Sequence, residues 1–286
     1  MDVLTDGADI ATMATGLGGS HRHRCTEPST AGAAMKLDER LILLAWPRSG
    51  SSSLWEILQA HPDLELFPDE PFNEGFVDWS PDNPDYLARI HDIESLDAVL
   101  AELFEGYGGI KVLSYQLDEQ QLRHLILRPD LKIIFISRRN LLQTAVSDRI
   151  AKQTKLWNRW DANPERPLEQ YYDSLEPLDI DDLRSYVCEL APHLRWIESV
   201  LNLRKDGHTL QLHYEDLYFA TRDAQYAQLA AIWSFLELPP LSTSGADYYL
   251  DPRTAQLGGQ ETYGRLPNAA EIDAVLGADE TGWLFP

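Results

Sequence analysis

A chain of 286 residues, 44% hydrophobic and with eight Trp, can bury a large core, so a globular protein is expected rather than a disordered or fibrous one. The formal net charge of −22 excludes a general nucleic-acid binder, which needs a basic face to displace counterions; an anionic ligand must find a local basic pocket instead. No apolar run approaches the ~20 residues of a membrane span, the start lacks the basic and apolar parts of a signal, and Cys25 and Cys188 have no metal-ligand or disulfide-framework spacing. A cytoplasmic protein without stable membrane insertion is therefore expected.

Residues 1–38 are rich in Gly, Ala, Thr and Ser, without helical or strand periodicity, and read as a disordered extension; its His21 and His23 belong to a short basic cluster. Residues 39–286 read as a single domain. Leu41 to Ala45 is a short, unalternating apolar run, the pattern of a strand buried on both faces of a parallel sheet. The turn Pro47 to Ser53 follows, then a helix carrying Leu54, Trp55 and Leu58 that ends at His61-Pro62. Leu64 to Phe67 reads as extended, and residues 74–92 as an acidic, aromatic loop.

A helix near Ser95–Glu105, a strand at Gly108–Leu113 with Lys111 inside it, a helix near Asp118–Leu127 and a strand at Lys132–Ser137 come next. That third strand runs into Arg138-Arg-Asn140, and Leu141, Leu142, Ala145, Val146 and Ile150 form one face of the helix that Asn140 caps. Residues 156–178 read as an acceptor-facing loop or a cap over the core. The stripe Leu183, Val187, Leu190, Leu194, Ile197, Leu201 predicts a long helix that Pro192 should bend or divide. Gly207 to His213 is a fourth strand, ending at Tyr214-Glu-Asp-Leu217, and helices around Leu229–Leu236 and Asn268–Leu276 complete the chain. Strands alternating with helices predict an α/β fold with a central, mainly parallel sheet.

Ligands of open α/β sheets gather beyond the carboxyl ends of the strands, and two of those ends here are basic: Arg48 and Arg138–Arg139. Backbone N–H groups, hydroxyls and a guanidinium at a helix N-terminus suit a phosphate or sulfate. The turn lacks G-x-x-x-x-G-K-[ST], which disfavours an ordinary ATP or GTP site, and G-x-G-x-x-G is absent as well.

Pro47-Arg-Ser-Gly-Ser-Ser-Ser-Leu54 resembles the 5′-phosphosulfate loop of sulfotransferases that use 3′-phosphoadenosine 5′-phosphosulfate (PAPS). Arg139 and Ser147, eight residues apart, are similar to that family's 3′-phosphate pair, and Tyr214-Glu-Asp-Leu217 to its late-strand motif. Ile136 to Ala151 and Gln153-Thr154…Trp157 are most similar to the bacterial trehalose 2-sulfotransferase type. The resemblance implies a P-loop-like three-layer fold and sulfuryl transfer to a hydroxyl of a carbohydrate or other small polar metabolite, such as a glycan or glycolipid. It further implies adenosine 3′,5′-bisphosphate as product, no metal, and a dimer.

Arg48, Ser49, Gly50, Ser51, Ser52 and Ser53 are then expected to hold the phosphosulfate, and Arg139 and Ser147 the far phosphate. Tyr214 is expected to face the adenine or to pack in the core, and Glu215 and Asp216 to cap backbone or fix a basic neighbour. Glu70, between two prolines, occupies the place of a catalytic carboxylate and is the expected base. Lys111 would stabilise the leaving phosphate, contact the acceptor, or snorkel from its strand. Arg138 would bind phosphate or form a salt bridge. The histidine of the animal cytosolic enzymes has no counterpart after Lys111, which leaves His91 and His124 as fallback bases. An ATP-dependent phosphotransferase and a catalytically silent nucleotide-binding protein of the same fold are the alternatives.

Overall fold

Four strands, β1 (Arg40–Ala45), β2 (Gly109–Leu113), β3 (Leu131–Ser137) and β4 (Thr209–His213), form one all-parallel sheet in the order β2-β1-β3-β4. The computed structural model describes residues 39–73, 85–163, 165–241, 243–252, 257 and 259–286. The expectations for residues 1–38, and for residues 74–84 of the acidic loop, lie outside the described residues.

The unalternating apolar strands have the predicted reason: they are covered on both faces. Ile42, Leu44, Ile133 and Phe135 point into one apolar cluster, whereas Leu41, Leu43, Ile134 and Ile136 point into the other. The first face is packed by α2 (Ile93–Gly106), α3 (Glu119–Leu127), α4 (Leu141–Thr154) and α6 (Ile180–Leu201), through residues such as Leu96, Leu122, Leu142 and Leu183. The second is packed by α1 (Ser51–Gln59), α7 (Tyr214–Tyr218), α8 (Arg222–Phe235) and α9 (Thr243–Leu250), through Leu54, Leu217, Ile232 and Leu250. Each such fully buried side chain contributes about 1.5–3 kcal/mol. Short helices α5 (Glu169–Tyr172), α10 (Gln260–Tyr263) and α11 (Ala269–Leu276) add Tyr172, Tyr263 and Ile272 to the first cluster.

Leu64–Phe67 is extended, as expected, and meets the sheet through a bridge from Leu66 to Gly109. Of the two outcomes expected at Pro192, division of the helix is not found. α6 runs unbroken through Pro192, because Leu190, Leu194 and Ile197 keep its stripe buried on both sides. Pro192 itself and Cys188, whose carbonyl loses its helical donor, are both exposed. No helix among the described residues is long and apolar enough to cross a membrane.

The register aligns Ala45 with Leu113 and with Ile136, and Ser137 with His213, so the four carboxyl ends open on one edge. β1 lies between β2 and β3, so successive connections leave it in opposite directions. That switch point is where an open α/β sheet forms its ligand crevice, and here it is flanked by Arg48 and Arg138.

Candidate active site

The β1–α1 turn is bent by two left-handed residues, Arg48 (φ 68°) and Gly50 (φ 79°). For Arg48 this geometry costs about 1–3 kcal/mol. It is held there by Nε donating to Ser147 Oγ at 3.1 Å and by a second guanidinium nitrogen donating to the Trp157 carbonyl. At Gly50 a Cβ would lie 2.4 Å from the Tyr218 ring and 2.8 Å from that of Tyr214, and the Tyr218 hydroxyl donates to the Gly50 carbonyl at 2.7 Å. Only glycine fits.

Ser49, Ser51 and Ser53 are buried, and Ser49 Oγ donates back to the Trp46 carbonyl at 2.7 Å. Ser52 is half-buried and accepts from Lys111 Nζ at 3.2 Å. α1 has no side-chain cap at Gly50.

Arg138, 6% exposed, leaves β3 toward the same crevice. Its guanidinium donates to Gln143 Oε1 and to the Tyr263 hydroxyl (3.3 Å), and lies 4.3 Å above the Tyr214 ring. Its Nε has no hydrogen-bond partner. Burial holds the Arg48 pKa below its ordinary value, and the charge of Arg138 acts in the same direction, while Tyr263 and Asp148 oppose it. Among the described residues no carboxylate lies within 4.0 Å of either guanidinium. Asp148 is instead engaged by Arg149 (2.6 Å) and Lys152 (2.9 Å).

Lys111, 3% exposed, sits opposite Leu43 in the β1–β2 register and reaches past the strand end. Its Nζ is 2.9 Å from Glu70 Oε1 and 3.9 Å from Asp69 Oδ1, besides its bond to Ser52. Gln116 Nε2 donates to the other oxygen, Glu70 Oε2, at 3.4 Å, while Gln116 Oε1 accepts from the Leu113 N–H at 2.8 Å. Burial raises the Asp69 pKa to about 6; Lys111 opposes this, and Glu70 adds to it. The β1–α1 turn and the carboxylate pair thus share one ammonium.

Lys111 links Ser52 to Glu70, and Arg48 extends from the same turn toward Ser147, while Arg139 and Ser147 have different partners. Ser147 is taken up by Arg48. The Arg139 side chain is 52% exposed and pairs bidentately with Asp216 at 2.8 and 2.5 Å. The register explains this: pairing Ser137 with His213 sets Arg139 and Asn140 beside Glu215 and Asp216. Glu215 accepts from the Arg139 and Asn140 N–H groups at 3.2 and 3.1 Å.

Tyr214 is buried between Arg138 and Tyr218, and burial pushes its pKa up to about 12; it supports the crevice from below. His91 is exposed next to the α2 cap, and His124 pairs with Asp97 at 2.9 Å, so neither approaches Glu70. Gln116 and Tyr263 carried no motif signal; their partners lie 46 and 125 positions away in the chain, where only folding brings them together, whereas Gln143 meets Arg138 locally, five residues on. Residues 156–178 do reach the crevice, through the Trp157 carbonyl on Arg48 and through Asp161, whose charge Asp69 feels. Among the described residues no group of three or more His, Cys, Asp or Glu could hold a metal ion.

No family model matches the sequence, and no curated protein matches it. Solved structures do. Mouse sulfotransferase SULT7A1 complexed with PAP matches at 19% identity over 73% of this chain, with a TM-score of 0.40; the match spans 62% of that protein's length. The sulfotransferase domain from the curacin biosynthetic pathway matches at 16% identity over 85% of this chain and 93% of its own, with a TM-score of 0.38. The sulfotransferase domain from the Synechococcus PCC 7002 olefin synthase matches at 18% identity over 84% and 86%, with a TM-score of 0.36.

Proposed function

We propose that the chain is a sulfotransferase that moves a sulfuryl group from PAPS to a hydroxyl of a carbohydrate or another small polar metabolite. The observation that carries this is the pair Arg48 and Arg138, which flank the β1/β3 switch point with no carboxylate within 4.0 Å among the described residues. Arg138 is buried, and a buried guanidinium without a counter-ion costs several kcal/mol, a cost that an anionic ligand offsets. The unpartnered Arg138 Nε and the uncapped start of α1 fit an anion of phosphate or sulfate chemistry.

When bound, the donor supplies an activated sulfuryl group. The acceptor oxygen bonds to sulfur as the bond from sulfur to the bridging oxygen breaks, the electron pair stays on the 5′-phosphate, and the hydroxyl proton goes to Glu70. Glu70 is suited to hold that proton at Oε2, whose one bond among the described residues is the long one from Gln116, while Lys111 fixes Oε1. Lys111, by touching both Ser52 and Glu70, aligns the two halves of the reaction. Arg48, Arg138 and Lys111 supply the positive charge that in-line transfer of an anionic group needs. Glycans and glycolipids are the acceptor classes we favour, and we place the protein in the cytoplasm.

The test is calorimetric titration with adenosine 3′,5′-bisphosphate, followed by incubation with sulfur-labelled PAPS and a panel of glycosides. Saturable binding and label on a glycoside are expected; no binding at millimolar bisphosphate would overturn the proposal.

A further inference from the structure

Arg138 is surrounded by neutral groups, and one of them, Gln143, is set by the far end of the chain. Gln143 lies in the first turn of α4 and is 7% exposed. Its Oε1 accepts from the Arg138 guanidinium, while its Nε2 donates to the Trp283 and Leu284 carbonyls, each at 3.1 Å. A flipped amide would set an oxygen against those two carbonyls and an NH2 group against the guanidinium, so the carbonyls dictate which end faces Arg138.

The segment that carries these carbonyls is itself fixed. The Leu142 N–H donates to the Thr281 carbonyl at 2.9 Å, Asn140 Nδ2 donates to the Trp283 carbonyl at 2.7 Å, and the Leu284 N–H donates to Asp273 Oδ1 at 2.6 Å. Leu284 is fully buried, and at Gly282 (φ 83°) a Cβ would lie 2.4 Å from Asn140 Cγ, so the segment lies tight on the start of α4. Tyr263 closes the other side: its hydroxyl accepts from Arg138 at 3.3 Å and donates to the Gln143 carbonyl at 3.5 Å.

We propose that Gln143 is the positioning residue of the anion site: held by the C-terminal segment, it orders the Arg138 guanidinium through a neutral acceptor and leaves its charge for the bound anion. This rests on the sulfotransferase reading above. A carboxylate in this place would hold Arg138 as firmly but cancel its charge, as Asp216 does for Arg139. With no acceptor there, the long side chain would be ordered only when the ligand binds, and the lost rotamer freedom would weaken binding. A neutral amide avoids both losses, and Arg138 Nε stays unpartnered. Residues 281–284 thereby act on the donor site through Gln143, without a contact to the donor.

The experiment is calorimetric titration of adenosine 3′,5′-bisphosphate into the full chain as wild type, Gln143→Met, Arg138→Ala and the double variant. Gln143→Met should weaken binding roughly tenfold in the wild-type background and by less than about twofold in the Arg138→Ala background, because a residue that acts through Arg138 then has nothing left to position. Similar losses in both backgrounds would mean that Gln143 serves the fold rather than Arg138, and no loss in the wild-type background would mean that it serves neither; either result overturns the proposal and leaves the sulfotransferase reading standing. Gln143→Glu, isosteric with the native residue, covers the case in which Gln143→Met does not fold. Its carboxylate should pair with Arg138 and weaken binding by at least about tenfold above about pH 7, and unchanged affinity would overturn the proposal. If the wild-type protein does not bind bisphosphate, the sulfotransferase reading falls and the positioning role with it.

Discussion

The chain makes two basic turns at adjacent strand ends, and they differ in what neutralises them. At the β1–α1 turn Arg48 is held by a hydroxyl and a carbonyl, and Arg138 from the second turn lies buried beside it with neutral partners. One residue further along the second turn, Arg139 points outward and is matched by Asp216. Sequence spacing marks all three arginines alike, but only the side chains on the inner side of the switch point keep charge available for a ligand. A basic motif becomes an anion site when the neighbouring strand end brings no carboxylate to it.

The largest expected effect probes the acid–base side of this arrangement. Glu70→Gln should lower kcat by about 10²–10⁴-fold and leave bisphosphate affinity within roughly threefold; steady-state kinetics beside calorimetry separates the two. Normal turnover would remove Glu70 as the base and leave the anion site without its opposing group.

Next is the turn itself. Gly50→Ala places a Cβ into the Tyr218 ring at positive φ, and should destabilise the fold by more than about 1 kcal/mol while loosening the cradle. A lowered Tm together with weaker bisphosphate binding is expected. An unchanged Tm would mean that the turn is less constrained than its geometry implies.

A smaller effect concerns Asp69. Its pKa is raised from 3.8 to about 6, so the native state takes up this proton at a higher pH than the unfolded chain. The stability gained from that proton is fully present below about 3.8 and is lost as pH rises through about 6. Asp69→Asn should flatten the pH dependence of urea stability in that window, and an unaltered pH profile would contradict the raised pKa of this half-buried carboxyl beside Glu70.

The sheet was legible in the sequence because its first three strands, β1, β2 and β3, are short runs buried almost throughout, whereas the edge strand β4 is half-buried and was marked more by its place after α6 than by its apolar content. The helix starts were nearly so: α2 begins two residues before the expected Ser95 because Asp92 and Ser95 form a capping box, a local signal that the apolar spacing alone passes over. The loop residues of the cradle and Glu70 were legible from motif resemblance. The pairing within the site was not. Nothing near Arg139 in sequence announces Asp216, since strand register sets that contact. Nothing near Glu70 announces Gln116, and Tyr263 reaches Arg138 from the far end of the chain. Motifs specify which side chains arrive at the edge of the sheet, and long-range packing decides which of them remain free to act.

The comparison of the two turns is tested most directly by titrating adenosine 3′,5′-bisphosphate into wild-type, Arg48→Ala and Arg139→Ala proteins side by side. Loss of a hydrogen-bonded charge contact to the ligand costs about 2–5 kcal/mol, so removal of the half-buried Arg48 in Arg48→Ala should weaken binding by at least about 30-fold. Arg139 must give up its exposed pair with Asp216, worth about 0–1 kcal/mol, before it can serve a phosphate, so Arg139→Ala should weaken binding by no more than about tenfold. Equal losses in the two variants, or a larger loss in Arg139→Ala, would contradict the assignment of the anion site to Arg48 and its buried neighbour.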